Sequence, residues 1–319
     1  MICPKPRGTL SERVRTMVRA LPSRSSLLAP LPSADSSEDE ALALWILHEL
    51  SYGGFEDVDE RAEQHPAVLA ARSALEDELE RRLRARCTLA ERVDPGDVPD
   101  RLIAMVEADD GPSLADHVRR HADRDEVLEL LRQRSVYHLK ESDPTAWVVP
   151  RLPVRAKAAL MELQYDEYGA GNPNRLHSHL FARGLASVGL DPDYGAFVDE
   201  ALPEILEANN AASLFGLTRR LRGAAMGHLA AFEMTSSLPS RKIVQGLDRL
   251  GFEGDMLLYY SEHVEADAIH EHLAARDICG TLAEDEPQQA DDILFGAFTC
   301  LDQESRFATA MLDRWGVAP

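Results

Sequence analysis

The sequence predicts an all-α fold, because apolar residues recur at helical spacing along most of the chain and no convincing series of alternating strands occurs. Proline or glycine stands at most of the predicted junctions between helices. A chain of 319 residues is long enough to bury a large core. We therefore expect one helical domain over residues 41–319, preceded by an N-terminal extension over residues 1–40.

The extension differs in charge from the rest of the chain. Its first 37 residues contain six Lys or Arg and two acidic residues, and Pro and Ser cluster from Pro22 to Ser37. This composition predicts a basic, partly ordered arm. The arm lacks the continuous apolar core of a secretory signal, so we expect a cytoplasmic protein.

The predicted helices of the domain follow one another with short breaks. The acidic segment Ser37-Glu38-Asp39-Glu40 suits the capped start of a helix from Ala41 to Ser51, which Tyr52-Gly53-Gly54 ends. Pro66 opens a long helix that continues to about Arg86. Further helices are predicted over residues 98–108, 113–122, 124–140, 154–168, 194–207, 211–234, 240–250, 255–275 and 287–315.

Composition excludes several classes of function. No apolar stretch approaches the roughly 20 residues that span a bilayer. The 55 Asp and Glu exceed the 34 Lys and Arg, and a net charge of −21 disfavours nucleic acid and anionic lipid as partners. We therefore expect neither nucleic acid nor a membrane as a partner. The four cysteines have no CxxC spacing and fit reduced thiols.

Three potential metal ligands share one stripe of the helix predicted over residues 255–275. An advance of about 100° per residue places His263, Asp267 and His270 within an arc of roughly 60°. His272 falls on the opposite face. A buried polar stripe needs partners or it costs stability, and metal ions would be such partners.

Three further residues could complete a metal site. Glu167 and His177 stand on either side of Gly169-Ala170-Gly171-Asn172-Pro173, which must interrupt a helix and allows both side chains to turn inward. A new helix is predicted from about Asn174. Glu233 lies on an apolar helix face, where a lone carboxylate is uncommon. Three carboxylates and three histidines suit a pair of iron or manganese ions, because carboxylates bridge two metals and imidazoles fix each one.

Four segments of the chain resemble the haem-oxygenase-like di-iron oxidases and oxygenases, often labelled iron-containing redox enzymes. They are Glu-Leu-Gln-Tyr-Asp-Glu-Tyr-Gly at 162–169, Arg-Leu-His at 175–177, Ala-Phe-Glu-Met-Thr-Ser at 231–236 and His-Val-Glu-Ala-Asp-Ala-Ile-His at 263–270. The likeness extends over about Ala41 to Pro319 and implies a haem-oxygenase-like helical bundle. In that family the metal ligands come from an E-x9-H pair, a later Glu and an H-x3-D-x2-H helix. The resemblance therefore implies that the ligands here are Glu167, His177, Glu233, His263, Asp267 and His270.

Some members of that family add a carboxylate well upstream of the first glutamate. Glu141, in the segment Tyr137 to Pro144, is the candidate here. It lies beside a predicted helix end, where a solvated or capping glutamate is at least as common as a ligand.

The resemblance implies an O2-activating non-haem oxidase or oxygenase. We expect two ferrous ions per chain, with manganese as the alternative metal, and O2 as co-substrate. The substrate would be a small amine, amino acid or fatty acid, and the reaction N-oxygenation, desaturation or oxidative C–C cleavage in specialised metabolism. The six residues would act as ligands, with no further catalytic residue. An external electron donor and a homodimer are also expected.

Two other functions are compatible with the sequence. A metal-free binding or salvage protein of the same fold, related to the thiaminase-like helical proteins, would not need three histidines beside three carboxylates. A helical interaction protein would use its acidic surface and the basic arm before Ser37 as contacts. Metal content separates the first alternative from the enzyme, and deletion of the arm tests the second.

Overall fold

The computed structural model describes residues 1–21, 30–89 and 92–317, and within residues 265–269 it describes the backbone alone. All regular secondary structure in these residues is helical, which confirms the predicted all-α fold. The α-helices are α1 (Thr9–Ala20), α2 (Ser37–Glu49), α3 (Pro66–Arg86), α4 (Val98–Glu107), α5 (Leu114–Arg120), α6 (Arg124–His138), α7 (Asp143–Ala146), α8 (Val154–Glu167), α9 (His177–Ser187), α10 (Pro203–Leu217), α11 (Arg222–Met234), α12 (Ser237–Arg249), α13 (Asp255–His272), α14 (Thr281–Asp285) and α15 (Ala290–Arg314). A π-helical segment, Leu273–Gly280, continues α13.

Several of the sequence-based helix boundaries are wrong. The helix predicted from about Asn174 begins at His177, and the helices predicted from 240 and 287 begin at Ser237 and Ala290. Helix α2 starts at Ser37 rather than Ala41, because Ser36 is the N-cap and its hydroxyl oxygen accepts a hydrogen bond from the backbone N–H of Asp39 at 3.2 Å. In place of the helices predicted over 194–207 and 211–234, the structure has α10 (Pro203–Leu217) and α11 (Arg222–Met234). Pro203 occupies the first turn of α10, and a 3-10 turn at Arg219–Leu221 separates the two helices.

The N-terminal helix α1 packs against α2. Its apolar residues, among them Val14 and Val18, are fully buried in the common core. The carboxylate of Asp39, in the first turn of α2, accepts hydrogen bonds from the backbone N–H groups of Leu10 at 3.0 Å and Ser11 at 2.7 Å. A buried acid of α2 therefore caps the start of α1 and satisfies donors that a helix start leaves free.

Two expectations from composition concern the membrane and the thiols. Within the described residues, no helix combines the length and the apolar character needed to cross a membrane. The four cysteines are free, and Cys3, Cys279 and Cys300 are buried.

Helices α11 and α15 cross at very close range, and this crossing positions the site-bearing helix α11. A Cβ atom on Gly227 would overlap the carbonyl oxygen of Ile293, and one on Gly296 would overlap the carbonyl oxygen of Ala224. Glycine is required at both positions because the two backbones touch where side chains would otherwise stand.

Replacing Gly296 with alanine is expected to lower the free energy of unfolding by about 1–3 kcal/mol, because the methyl group meets backbone that cannot rotate away. Denaturant unfolding of the parent and the variant measures the change. Gly96→Ala is the matched control, since no described atom lies within 4 Å of an added Cβ there. Equal unfolding midpoints for parent and Gly296→Ala would contradict the close crossing.

Candidate metal centre

The end of α8 and the start of α9 bring a carboxylate and an imidazole face to face. Glu167 is the last residue of α8 and His177 the first of α9. Between them the backbone takes positive φ values at Gly169 (68°), Ala170 (54°) and Gly171 (79°), which reverse the chain. Nδ1 of His177 lies 3.1 Å from Oε2 of Glu167, and both side chains are buried.

Helices α11 and α13 add the next three groups. Nδ1 of His270 lies 3.3 Å from Oε2 of Glu233 and 3.9 Å from Oε1 of Glu167. The ring of His263 packs 4.7 Å from the ring of His177, measured between centroids. The structure therefore brings together five of the residues that the sequence singled out.

Glu141 joins them from the short connection between α6 and α7. Its side chain is buried, and its Oε2 lies 2.9 Å from the hydroxyl of Tyr259 and 3.0 Å from Nδ1 of His138. The contact with His138 is an i,i+3 pair, and it is buried rather than a surface contact.

The six side chains form two adjacent sets, and in each set the three potential ligand atoms lie within 4.8 Å of one another. The first set combines one carboxylate with two imidazoles, and the second combines two carboxylates with one imidazole. The sets are Glu141, His177 and His263, and Glu167, Glu233 and His270. Asp267 lies on α13 one turn before His270, but its side chain is outside the described residues.

Two buried atoms of the first set lack a hydrogen-bond partner within the described part of the chain. They are Oε1 of Glu141 and Nδ1 of His177, and the latter is near Glu167 without hydrogen-bond geometry. A buried polar atom without a partner costs about 1–3 kcal/mol. The ligand atoms of the first set lie within 4.8 Å of one another, so a cation bound there would provide the missing partner, and the residues fit a bound metal ion.

Neighbouring hydrogen bonds orient the imidazoles. Nδ1 of His263 donates to the backbone carbonyl oxygen of Tyr259 at 2.8 Å, because a carbonyl only accepts, and this leaves Nε2 as the potential ligand atom. Nε2 of His270 lies 3.3 Å from the Asp166 carboxylate, which leaves Nδ1 directed at the second set. The hydroxyl of Ser142 donates to Oε2 of Glu167 at 2.9 Å.

The sequence did not predict that these residues would orient the potential ligands by hydrogen bonds. Tyr259 lies on α13 one turn before His263, and its side chain is buried. Helical spacing does not indicate its hydrogen bond to Glu141, because the partner belongs to a distant segment of the chain.

Burial and mutual charge shift the pKa values of the site in opposite directions. Burial acts to lower the pKa of His177, but the adjoining Glu167 outweighs it and raises the pKa to about 9. The pKa of His270 is likewise raised to about 9, because Glu233 outweighs burial. Burial raises the pKa of Glu141 and lowers that of His263, so these two groups favour their neutral forms.

A cavity opens onto the two sets. Its volume is about 20 Å³, which is room for about one water molecule. Carboxylates and apolar groups share its wall. The lining residues are Tyr137, Glu141, Ser142, Thr145, Leu163, Glu167, Leu229, Phe232, Glu233, Ser236 and His263. A small molecule in this cavity would lie against both carboxylate and imidazole groups.

Comparison with known proteins agrees with this geometry. The sequence model of the family described as "Iron-containing redox enzyme" matches residues 128–305, more than half of the chain. The chain belongs to this family. The match spans all six side chains of the two sets, and it confirms the resemblance inferred from the sequence motifs. Membership identifies iron as the metal to expect, whereas the number of ions per chain stays a prediction.

Solved structures show remote likeness. Two crystal structures of a CADD-like protein of unknown function from Nostoc punctiforme PCC 73102 are similar to this chain, one with a TM-score of 0.49 and 13% identity and the other with 0.47 and 14%. Each covers 75% of this chain, and this chain covers 97% and 95% of theirs. No curated protein matches the sequence.

Metal loading of the metal-free chain at about pH 7.5 is expected to release about two protons, because His177 and His270 are protonated below about 9 and a ligand imidazole must be neutral. Calorimetric titration with Mn²⁺ in buffers of different ionisation enthalpy counts the protons. Apparent affinity should rise with pH up to about 9 and then level off.

The same titration above that pH is the control, since both imidazoles are then neutral and the proton release disappears. Without metal, the two raised pKa values stabilise the fold below the unfolded value of about 6.5, and this stability is lost as pH rises through about 9. Loading without proton release at about pH 7.5 would show that these imidazoles are not paired with carboxylates.

Proposed function

We propose that this chain is an O2-activating non-haem di-iron oxidase or oxygenase. The observation that supports it is the pairing of two adjacent, buried sets of carboxylate and imidazole groups at one cavity. Glu141, His177 and His263 would hold one ion. Glu167, Glu233 and His270 would hold the other, together with Asp267 from the same helical stripe.

The donor set fits iron or manganese. Both sets offer oxygen and nitrogen atoms without a thiolate, a combination that suits ferrous iron and manganese. Three protein ligands on one ion and four on the other would leave coordination positions open, as in other non-haem iron sites that react with O2. Iron bound in this way would supply the reduction of O2.

The chain's own residues would orient the ligands and exclude water. Ser142 and the Tyr259 carbonyl fix Glu167 and His263 by hydrogen bonds, so that little rearrangement is needed when metal binds. Leu163, Leu229 and Phe232 form apolar parts of the cavity wall. Apolar walls keep water from a reactive centre.

The proposed substrates are small amines, amino acids or fatty acids. The proposed reactions are N-oxygenation, desaturation or oxidative C–C cleavage within specialised metabolism. An external electron donor and a homodimer remain part of the proposal. A metal-free binding protein would have to keep six buried ionisable groups without a cation, which burial makes unfavourable.

His177→Ala is expected to lower iron affinity at least about 100-fold and to reduce iron from about two ions per chain to one or fewer, because it removes a ligand of the first set. Metal analysis after anaerobic reconstitution and O2 consumption measure the effect. His179→Ala is the matched control, since His179 lies on the same helix but is exposed. Full iron content in His177→Ala would exclude the proposed first position.

Asp267→Ala is expected to lose iron and O2 consumption, because it removes a proposed ligand. The metal-free protein is expected to unfold at an equal or higher temperature, because the helical stripe predicts that the change removes a charge from the interior. His272→Ala, two residues after His270 and exposed, should change neither property. Iron per chain and O2 uptake of both variants are compared with the parent. Retention of iron by Asp267→Ala would remove this residue from the ligand set.

A further inference from the structure

Three consecutive residues in the connection between α6 and α7 have side chains in three different parts of the structure. Lys140 enters a buried cluster with α2, and Glu141 belongs to the first ligand set. Ser142 donates to Glu167 of the second set. The backbone N–H of Asp143 donates to the carbonyl oxygen of Lys140 at 3.0 Å, so these residues form one tight turn. A constraint on Lys140 therefore also restricts the directions of its two neighbours.

Three aromatic rings lie around the ammonium group of Lys140. Its Nζ lies 4.3 Å from the ring centre of Tyr52, 5.5 Å from that of Tyr194 and 5.8 Å from that of Trp45. A cation within about 6 Å of a ring face is attracted by the electrons of the ring, and the attraction is stronger where water is excluded. We call these three rings the aromatic cage.

The carboxylate of Glu49 adds a negative charge beside the aromatic cage. Its Oε2 accepts hydrogen bonds from Nζ of Lys140 at 2.9 Å and from the hydroxyl of Tyr194 at 2.8 Å. Glu49 is fully buried, and Lys140 is 5% exposed. A lone charge at this depth is strongly unfavourable, so each of the two charges holds the other in place. The flexible four-carbon stem of a lysine, a residue that is mostly exposed in proteins, is thus fixed here.

Most of this anchor comes from a part of the chain that contains none of the proposed metal ligands. Trp45 and Glu49 lie one turn apart on α2, and Tyr52 follows directly after that helix. All three precede residue 128, where the match to the family begins. The aromatic cage and Glu49 therefore join the N-terminal helices to the turn that carries Glu141.

We propose that Lys140 is a positioning residue for the metal centre, anchored by the aromatic cage and Glu49 so that Glu141 is held where it can bind the first ion. The inference rests on the proposed function, because it assumes that Glu141 is a metal ligand. Without the anchor the turn would sample other conformations, and the ligand would have to be ordered when the ion binds. With the anchor the turn is ordered beforehand, so the ion binds more tightly.

The first experiment replaces Lys140 with alanine in the full-length, metal-free chain and measures Mn²⁺ binding by calorimetric titration. Lys140→Ala is expected to bind the ion of the first set at least about tenfold more weakly than the parent, because residues that orient a ligand typically have effects of this size. Since the effect acts through Glu141, the same change made in Glu141→Gln should alter Mn²⁺ affinity less than about threefold. Parent affinity in Lys140→Ala, or full additivity of the two changes, would overturn the proposal.

Propylammonium separates positioning from simple filling of the cage, because it is the fragment that Lys140→Ala removes. The free ion is expected to raise the thermal unfolding midpoint of Lys140→Ala by pairing with Glu49. Mn²⁺ affinity should stay low, because the free ion is not joined to the turn. Propanol has the same length without the charge and should change neither property. Recovery of Mn²⁺ affinity with propylammonium, or no rise in the midpoint, would contradict the proposal.

Two further variants decide the question if Lys140→Ala does not fold. Glu49→Gln combined with Lys140→Met leaves no lone buried charge, so its unfolding midpoint should stay near that of the parent while Mn²⁺ affinity still falls at least about tenfold. Arg222→Ala is the matched control, because Arg222 is also buried and donates to Glu286, but it lies at the opposite end of α11 from Glu233. It should lower the midpoint and leave Mn²⁺ affinity unchanged. Parent affinity in the double variant, or an equal loss in Arg222→Ala, would overturn the proposal.

These outcomes separate the anchor from the proposed function. Mn²⁺ binding that depends on Lys140, in a chain whose iron-loaded form consumes no O2, would refute the proposed function alone. Two ions bound with parent affinity in every Lys140 variant would refute the anchor alone. A parent chain that binds no Mn²⁺ would refute both.

Discussion

The mutual compensation of buried charges around Glu167 is the interaction on which the centre of this protein depends. Its carboxylate lies 3.1 Å from His177 and 3.9 Å from His270, and it accepts a hydrogen bond from Ser142 at 2.9 Å. One carboxylate thus contacts members of both ligand sets. Burial alone would raise its pKa, yet the adjoining His177 holds the pKa well below its usual range. The charged form is therefore retained in the interior, ready to bind a cation.

The helical framework brings these groups together from distant parts of the chain. The ends of α8 and α9 meet at a turn that requires glycine at Gly169, because a Cβ there would overlap the backbone of Arg175 and Leu176. Helix α11 is held against α15 by the glycine contacts, and this places Glu233 beside His270.

Residues outside the part that matches the family also support the centre. Lys140 precedes Glu141, and its ammonium donates to the buried carboxylate of Glu49 on α2 at 2.9 Å. The hydroxyl of Tyr194 donates to the same carboxylate at 2.8 Å, and the Lys140 ammonium lies 4.3 Å from the ring centre of Tyr52. This buried cluster fixes the connection between α6 and α7, and so sets where Glu141 can reach. Helix α2 therefore belongs to the architecture of the site, although residues 128–305 alone match the family.

The sequence by itself determined the helical class, the family and five of the six described ligand candidates. These were accessible because helical spacing places His263 and His270 on one stripe, and because a glycine-proline break follows Glu167. Glu141 was named with less support, since its role depends on partners from α9 and α13 that local pattern does not specify. Only the tertiary structure decided the division into two sets and the hydrogen bond from Tyr259 to Glu141. Those features are contacts between segments far apart in sequence, and the packing of helices determines them rather than the periodicity within one helix.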